Sequence, residues 1–248
     1  MTDAELELEM AETSFGYGRW NARCWFIGPE QGMSKDGSLA RRVNTWVNFG
    51  KRDLDDCHAF HMAIKEWRWH GKPDGTIQPE LQRTWKRCIL VTLAYHDKSV
   101  TLSSALSSAL DYQTQQWGSC SGDTCVIELS GIAAHSHKVK RIISPLLTSN
   151  RIKRIARRMR EQEQKPEIVV LYGKGRNGSC QKAWQTLTEG ATVDDEGLFK
   201  IARSVHSLLV WAPHPTAPIT GNTDNAWLEL GTRLRMLKQR AGNSLWEH

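Results

Sequence analysis

Two short segments carry side chains suited to acid–base chemistry. In CWFIGPEQG, residues 24–32, Glu30 follows an apolar run and stands between two glycines. In APHPTAP, residues 212–218, His214 lies between two prolines that restrict the backbone. A carboxylate can orient water or stabilise a developing cation, and an imidazole can stabilise a leaving group by donating a hydrogen bond. The two residue types therefore suit hydrolysis, although either segment alone could be a surface turn.

Four short apolar segments predict buried β-strands. They are CWFIG (24–28), TCVIEL (124–129), EIVVLYG (167–173) and SLLVWAP (207–213). Each is rich in β-branched or aromatic residues and is followed by glycine, proline or polar residues. Because the apolar runs are continuous, the strands should be covered on both faces, as in a parallel sheet. Such sheets bind ligands beyond the carboxyl ends of their strands, which is where Glu30 and His214 stand.

Helical segments lie between and after these strands. The candidates span residues 80–96, 144–164, 179–190 and 225–242. The alternation of strands and helices predicts an α/β fold, a three-layer sandwich with a central, mostly parallel four-stranded sheet flanked by helices. The length of 248 residues fits a single domain, 1–248, in which residues 1–20 form an N-terminal helical extension.

The charge of the chain indicates a polyanionic partner. The formal net charge is +6 and the sequence pI is about 9.1, which favours nucleic acid first and anionic lipid second. The 11 tryptophans include rings that could stack on bases if some of them are exposed. No apolar run approaches the roughly 20 residues that span a bilayer. We therefore expect a cytoplasmic protein with no membrane association and no evident need for a protein partner.

The cysteines do not form a recognisable metal motif. Six of them are scattered without a CxxC pair, which is typical of buried thiols in a reducing compartment. Cys57 with His58 and His61, or His135 with His137, could ligate a metal, but neither group has a matching second half-site. The sequence therefore predicts no metal and no cofactor.

The stretch RIKRIARRMR, residues 151–160, concentrates positive charge on one predicted helix. It contains six basic side chains and no acidic one. Arg154, Arg157 and Arg158 are candidates for contacts with nucleic-acid phosphates, which would give affinity without sequence preference. The alternative is a solvated helix face.

The segment YGKGRNGS, residues 172–179, places three glycines in the spacing of a dinucleotide-binding loop. The context departs from that motif because the segment follows the third predicted strand and not the first. Lys174 and Arg176 would suit a phosphate group, whether it belongs to a cofactor or to a nucleic acid.

Taken together, the G-x-acid-x-G loop after the first strand and the HPxxP loop after the last resemble the motifs of the uracil-DNA glycosylase superfamily. The resemblance runs from about residue 23 to 235, with the motifs in the family's order. It implies a parallel four-stranded sheet between helices, extrusion of the target nucleotide from double-stranded DNA, and cleavage of an N-glycosidic bond without a metal. The cysteine pairs of the iron–sulfur branches of this superfamily are missing here.

The resemblance assigns roles to three residues. Glu30 lies where the family often has an acidic residue that activates water, and His214 lies where a histidine contacts O2 of the base. Glu128 lies where the family usually has an asparagine that reads the base. These types suit the reaction, because a carboxylate stabilises the cationic sugar and an imidazole stabilises the departing base.

Other residues near these motifs are expected to contact DNA. Trp46 or Phe49 would stack on the flipped base. Pro218 or Ile219 would wedge into the space that the base vacates, as apolar side chains do in kinked DNA. Thr216, from the same loop, is also expected to bind DNA.

Two departures from the uracil-specific pattern bear on the substrate. An ionised Glu128 only accepts hydrogen bonds, which suits the exocyclic amine of cytosine and would repel O4 of uracil. Gly32 stands where the strictly uracil-specific branch has a tyrosine that blocks a substituent at C5, although other uracil-removing branches also have glycine. The hypothesis is therefore a C5-modified cytosine, and the chain resembles the branch that removes glucosylated hydroxymethylcytosine from phage DNA.

Three other functions stay open from the sequence. A uracil or deaminated-base repair glycosylase would share the two loops. A catalytically inactive protein of the same fold would only bind DNA, and an enzyme with a nucleotide cofactor would use the glycine-rich segment. Since nothing marks a lysine nucleophile, a glycosylase of this kind would be monofunctional.

Overall fold

The computed structural model describes residues 2–32, 38–134, 145–175 and 178–244. Its strands are β1 (Gly16–Tyr17), β2 (Cys24–Gly32), β3 (Leu54–Asp55), β4 (Thr124–Ala134), β5 (Ile168–Tyr172), β6 (Thr192–Glu196), β7 (Phe199–Arg203) and β8 (Leu208–Ala212). Its α-helices are α1 (Asp3–Thr13), α2 (Leu39–Asn48), α3 (Cys57–Ala63), α4 (Arg83–His96), α5 (Leu102–Gln115), α6 (Pro145–Glu161), α7 (Ser179–Leu187) and α8 (Asp224–Ser244). A 3₁₀ turn covers Trp67–Trp69.

The strands of the described residues form one mixed sheet in the order β3-β1-β4-β2-β5-β8-β7-β6. The four central strands, β4, β2, β5 and β8, are parallel to one another. Helices flank this sheet, so the predicted α/β sandwich is confirmed. The predicted count of four strands is corrected, because the four predicted strands form the centre and four others extend the sheet at its two edges.

The four outer strands lack the signal that identified the central ones. Strands β1 and β3 contain two residues each, too few to show any periodicity. Strand β6 reads TVDDE and is polar because it lies at the edge of the sheet. It pairs with β7 as an antiparallel hairpin, whose turn contains Gly197 at a φ of 73°.

The central strands are buried on both faces, which explains their continuous apolar runs. Phe26 and Val170 point into the layer that contains residues of α4 and α8. Trp25 and Val169, their immediate chain neighbours, point into the opposite layer, which contains residues of α6 and α7. Successive side chains of a strand therefore enter two different apolar layers.

The N-terminal segment is helical over only part of its predicted extent. Helix α1 begins after Thr2, whose side chain and that of Glu5 form a capping box, and it ends at Thr13. Gly16 and Tyr17 already belong to the sheet, where they pair with β4. The predicted helical extension over residues 1–20 is therefore corrected to a helix followed by a two-residue strand.

Arg151, the first residue of the basic stretch 151–160, is a structural residue. Its side chain is completely buried and donates hydrogen bonds to the backbone carbonyl oxygens of Leu129, Ala11, Ser14 and Glu128, at 2.7–3.1 Å. These bonds attach α6 to β4 and to the end of α1. Its charge is therefore used inside the fold and does not contribute to a surface for phosphate.

None of the helices in the part of the chain that the structure describes combines the length and the apolar character needed to cross a bilayer.

Candidate functional site

A cleft of about 570 Å³ opens where the parallel strands end. Pro29 of β2 lines it, together with Gly173, which follows β5, and His214, which lies two residues beyond β8. The hairpin of β6 and β7 contributes Leu198 and Lys200. Its volume lies within the range of about 300–1,000 Å³ that is usual for pockets binding small organic molecules. The structure therefore brings the predicted His214 and the backbone of the first loop to one binding space.

His214 is half-buried beside the cleft with a defined ring orientation. The backbone N–H of Thr216 donates to its Nδ1 at 3.3 Å, and the hydroxyl of Thr216 lies 3.0 Å from the same nitrogen. Because an amide can only donate, Nδ1 is the acceptor, and the proton of the neutral ring resides on Nε2. The ring meets Tyr172 edge-on, with centroids 5.8 Å apart. His214 can therefore act as a hydrogen-bond donor through Nε2.

Gly173 lies between His214 and Pro29 at the edge of the cleft. A Cβ at this position would lie 3.6 Å from His214 and 3.7 Å from Pro29, which is ordinary van der Waals contact. The φ of 83° is one that side-chain-bearing residues rarely adopt, so the backbone conformation explains glycine here.

The loop that carries His214 is held by a buried amide. Asn222 is 6% exposed, and its Nδ2 donates to the carbonyl oxygens of Ala217 at 2.7 Å and His214 at 3.2 Å. Its Oδ1 accepts from the indole N–H of Trp227 at 2.7 Å. The guanidinium of Arg87 adds a further hydrogen bond to the carbonyl oxygen of Pro215. The position of the imidazole is thus set by residues outside the loop.

We expect Asn222→Ala to lower turnover about tenfold and the free energy of unfolding by about 2 kcal/mol, because buried carbonyl oxygens lose their donor. Asn225→Ala is the matched control, since Asn225 is exposed and its Nδ2 donates to Glu229 at 2.6 Å. Thermal melts of both variants measure the change in stability, and stopped-time activity assays measure the change in turnover. Wild-type turnover in a folded Asn222→Ala variant would contradict a positioning role.

Gly28 lies where two polar side chains converge. A Cβ on this residue would lie 2.5 Å from Oη of Tyr172 and 2.8 Å from Oε2 of Glu128, so any side chain here would displace one of them. Tyr172 is buried, and burial, followed by the charge of Glu128, raises the pKa of its hydroxyl well above the usual value. The phenol is therefore neutral at physiological pH and available as a donor.

Glu128 lies behind the cleft, outside the set of described residues that line it. It pairs with Gly28 across β2 and β4, and its side chain is 9% exposed. Its backbone N–H donates to Phe15 at 2.8 Å, and its carbonyl oxygen accepts from Arg151 at 2.7 Å. The carboxyl group of Glu128 and the hydroxyl of Tyr172 both lie beside Gly28, and the ring of Tyr172 contacts His214. Its role as base reader stays a prediction.

The carboxyl-terminal part of β2 contains Glu30 and Gly32, the two residues of the first motif with predicted roles. The backbone of Glu30 pairs with Ser130 of β4, and the register shifts between Glu30 and Gly32, which pairs with Ala134. The side chain of Glu30 lies outside the described residues, so its catalytic role stays a prediction. Gly32 is exposed, and a Cβ there would meet nothing within 4 Å. Such register irregularities are frequent beside active sites.

Packing explains one glycine, Gly175, of the glycine-rich segment after β5. A Cβ on Gly175 would lie 2.0 Å from Oγ of Ser179, in the first turn of α7. Close packing of the loop on the helix therefore requires glycine, with or without a bound cofactor. Lys174 is exposed and lines the cleft, as the predicted phosphate contact requires, whereas Arg176 lies outside the described residues.

Of the two aromatic candidates for base stacking, Trp46 is excluded by its burial. It lies within α2 and not in a loop, it is completely buried, and its indole N–H donates to the carbonyl oxygen of Arg52 at 2.8 Å. No face of the ring is accessible, so the prediction for Trp46 is wrong. Phe49, at the end of the same helix, is partly buried and meets Phe60 edge-on, so its stacking role stays a prediction.

The loop after His214 presents its predicted DNA contacts to solvent. Thr216 and Pro218 are exposed, and Ile219 is 50% exposed and lines the cleft. An apolar side chain so exposed beside a cleft is suited to insertion between bases.

The basic side chains of α6 contact acidic and aromatic groups of the chain. Arg154 donates to the carbonyl oxygen of Glu12, and Arg158 forms an ion pair with Asp53 at 3.1 Å. Arg157 is exposed and lies 3.4 Å from Glu161, a distance between Nε and Oε2. Because α6 runs back from the carboxyl edge to the amino edge of the sheet, these residues lie progressively farther from the cleft. Their contacts with DNA stay predictions.

Several residues of the site carry no sequence signal of their own. Tyr172 is one more apolar residue of its strand, and Asn222 stands in an ordinary polar turn before α8. Leu198 and Lys200 belong to the hairpin of β6 and β7, which sequence patterns did not predict. Only the position of Tyr172 at the end of a predicted parallel strand could have marked it.

In chemical terms the site combines a neutral imidazole donor, a buried phenol and a buried carboxylate next to a cleft with lysines at its rim. This set can bind a small polar ring and stabilise negative charge that develops on it. Comparisons of the chain with protein-family models, with curated proteins and with solved structures find no match.

Proposed function

We propose that this protein is a monofunctional DNA glycosylase that removes a modified base from double-stranded DNA. The substrate proposed is a C5-hypermodified cytosine, with glucosylated hydroxymethylcytosine of phage DNA as the best candidate. The observation that carries the proposal is the position of His214, held beside Gly173 and Pro29 at the edge where the parallel strands end. The resemblance of the two loops to the uracil-DNA glycosylase superfamily supports it, because both loops border the same cleft.

In the proposed reaction, water replaces the base at C1′ of the deoxyribose. The glycosidic bond breaks with its electron pair moving to the base, and a proton from water completes the released base. His214 would donate a hydrogen bond from Nε2 to the base oxygen, where negative charge develops. Glu30 would orient the water or stabilise the cationic sugar. The product is an abasic site, and no covalent enzyme intermediate is required.

Two features favour a modified cytosine over uracil. The carboxylate of Glu128, if ionised, accepts a hydrogen bond from an exocyclic amine and repels a carbonyl oxygen. Gly32 adds no side chain, and the space where its Cβ would stand is open. The cleft has a volume of about 570 Å³, which suits a base that carries a further substituent.

The direct test offers three duplexes to the purified protein: DNA with glucosylated hydroxymethylcytosine, unmodified DNA, and DNA with a U·G pair. Alkali treatment then cleaves the backbone at abasic sites. Cleavage of the modified DNA alone supports the proposal, whereas cleavage of the uracil duplex alone identifies a repair glycosylase. Salt-sensitive binding to all three without cleavage identifies a DNA-binding protein that is not a glycosylase.

We expect Gly32→Tyr to block excision of the C5-modified base, lowering its rate at least about 100-fold. The variant should fold normally, because a Cβ at this exposed position meets nothing within 4 Å. Gly32→Ala is the matched control and should keep the wild-type rate, since it adds a Cβ without a bulky ring. Excision of the modified base at the wild-type rate by Gly32→Tyr would contradict the role of residue 32 in admitting the C5 substituent.

A further inference from the structure

Three metal-ligating side chains meet in the interior, away from the cleft. Cys57 and His61 lie four residues apart on one face of α3, and His70 follows the 3₁₀ turn at residues 67–69. Sγ of Cys57 lies 3.6 Å from Nδ1 of His61 and 3.7 Å from Nε2 of His70. One candidate ligand atom from each residue lies within 4.8 Å of the other two.

We propose that Cys57, His61 and His70 bind a zinc ion. Tetrahedral zinc has Zn–S bonds of about 2.3 Å and Zn–N bonds of about 2.0–2.1 Å, which places sulfur and nitrogen about 3.6 Å apart. The two observed sulfur–nitrogen distances agree with that edge of a tetrahedron. The fourth ligand is a solvent molecule, because these three are the only ligating side chains that converge there among the described residues.

The three side chains lie in the interior, among aromatic rings. Cys57 is 0% exposed, His61 3% and His70 7%. Both imidazoles pack against Trp85 of α4, with ring centroids 5.6 and 6.0 Å away. Nδ1 of His70 is buried without a hydrogen-bond partner among the described residues, so its ring is not oriented by a bond at that nitrogen. A metal bond at Nε2 would fix the ring from its other nitrogen and leave the ring proton on Nδ1.

Metal binding requires a particular protonation state of each ligand. Zinc binds neutral imidazole and thiolate, so the proton of the Cys57 thiol passes to solvent when the metal binds. Nδ1 of His61 is also 2.7 Å from the carbonyl oxygen of Cys57, so its proton must move to Nε2 when the metal binds.

The site would secure a segment with little regular structure. Between the end of α3 and the start of α4, the described chain contains only the 3₁₀ turn at residues 67–69. Zinc would connect α3 to the residue that follows this turn. The role is structural, and it does not rest on the proposed glycosylase activity.

The test measures metal in the full-length protein. Protein purified without chelator should contain about one zinc per chain by elemental analysis, and Cys57→Ser or His70→Ala should lower this at least about tenfold. Cys120→Ser is the matched control, since Cys120 is an exposed free cysteine and should leave the zinc content unchanged.

A second measurement covers the case in which the variants fail to fold. The wild-type protein is stripped of metal with a chelator. One portion is then melted, and a second, folded portion is titrated with Co²⁺. We expect a lower melting temperature after stripping, and with Co²⁺ a thiolate-to-metal charge-transfer band together with the intense visible bands of tetrahedral cobalt. Absence of zinc in the purified protein together with absence of the cobalt bands would overturn the proposal and leave a hydrogen-bonded thiol–imidazole cluster.

Discussion

His214→Ala is expected to lower the single-turnover rate of base release at least about 100-fold, with DNA affinity changed by less than about threefold. In the proposed reaction the imidazole donates to the base oxygen that gains charge, so its removal should raise the barrier of the chemical step. Because the proposed phosphate contacts lie elsewhere, binding should persist. Single-turnover assays and fluorescence anisotropy measure the two quantities separately.

His206→Ala is the matched control for this prediction. His206 is exposed and its carbonyl oxygen accepts from Lys238, so the substitution removes an imidazole without disturbing the cleft. It should keep the wild-type rate. Full activity of His214→Ala would show that the cleft histidine does not participate in the reaction.

Glu30→Gln is expected to lower the same rate by at least about 100-fold. The amide keeps the size of the side chain and removes its charge, so it loses both the stabilisation of the cationic sugar and the ability to take a proton from water. DNA affinity should stay the same or rise slightly, because a negative charge near the phosphates is removed.

Glu189→Gln provides the control for the loss of one carboxylate, since Glu189 is exposed after the end of α7. It should have no effect on the rate. If Glu30→Gln kept full activity while His214→Ala did not, the water would be oriented by another group, and Glu30 would have no part in the mechanism.

The centre of the fold could be predicted from the sequence for a clear physical reason. Strands covered on both faces must be apolar throughout, and four such runs identified β2, β4, β5 and β8. The predicted helices 80–96, 144–164, 179–190 and 225–242 correspond to α4, α6, α7 and α8. The four outer strands contain two or five residues each and none has a continuous apolar run, so β1, β3, β6 and β7 produced no comparable signal.

Residues of the site could be predicted only where a chemically suitable side chain followed a predicted parallel strand. His214 follows a parallel strand, and the rule that ligands bind at the carboxyl edge located it correctly beside the cleft. Trp46 failed because sequence alone cannot distinguish a tryptophan that packs in the core from one that is exposed. The role of Tyr172 depends on a contact between segments that are far apart in sequence, with its ring centroid 5.8 Å from that of His214. The role of Asn222 depends on local hydrogen bonds, 2.7 Å long to Ala217, that no sequence motif marks.

The cluster of Cys57, His61 and His70 also depends on a contact that sequence spacing does not show. Cys57 and His61 have the spacing of one helical face, but His70 joins them only because the chain folds back after the 3₁₀ turn. The sequence interpretation therefore found one half-site and predicted no metal.

The most direct test of the central proposal is the mass of the base released from phage DNA that carries glucosylated hydroxymethylcytosine. The protein is incubated with this DNA, and small molecules are separated and analysed by mass spectrometry. We predict release of the intact glucosylated base, with no release by the His214→Ala variant. Release of uracil from a uracil-containing control with none of the modified base, or no released base from any DNA, would contradict the proposed function.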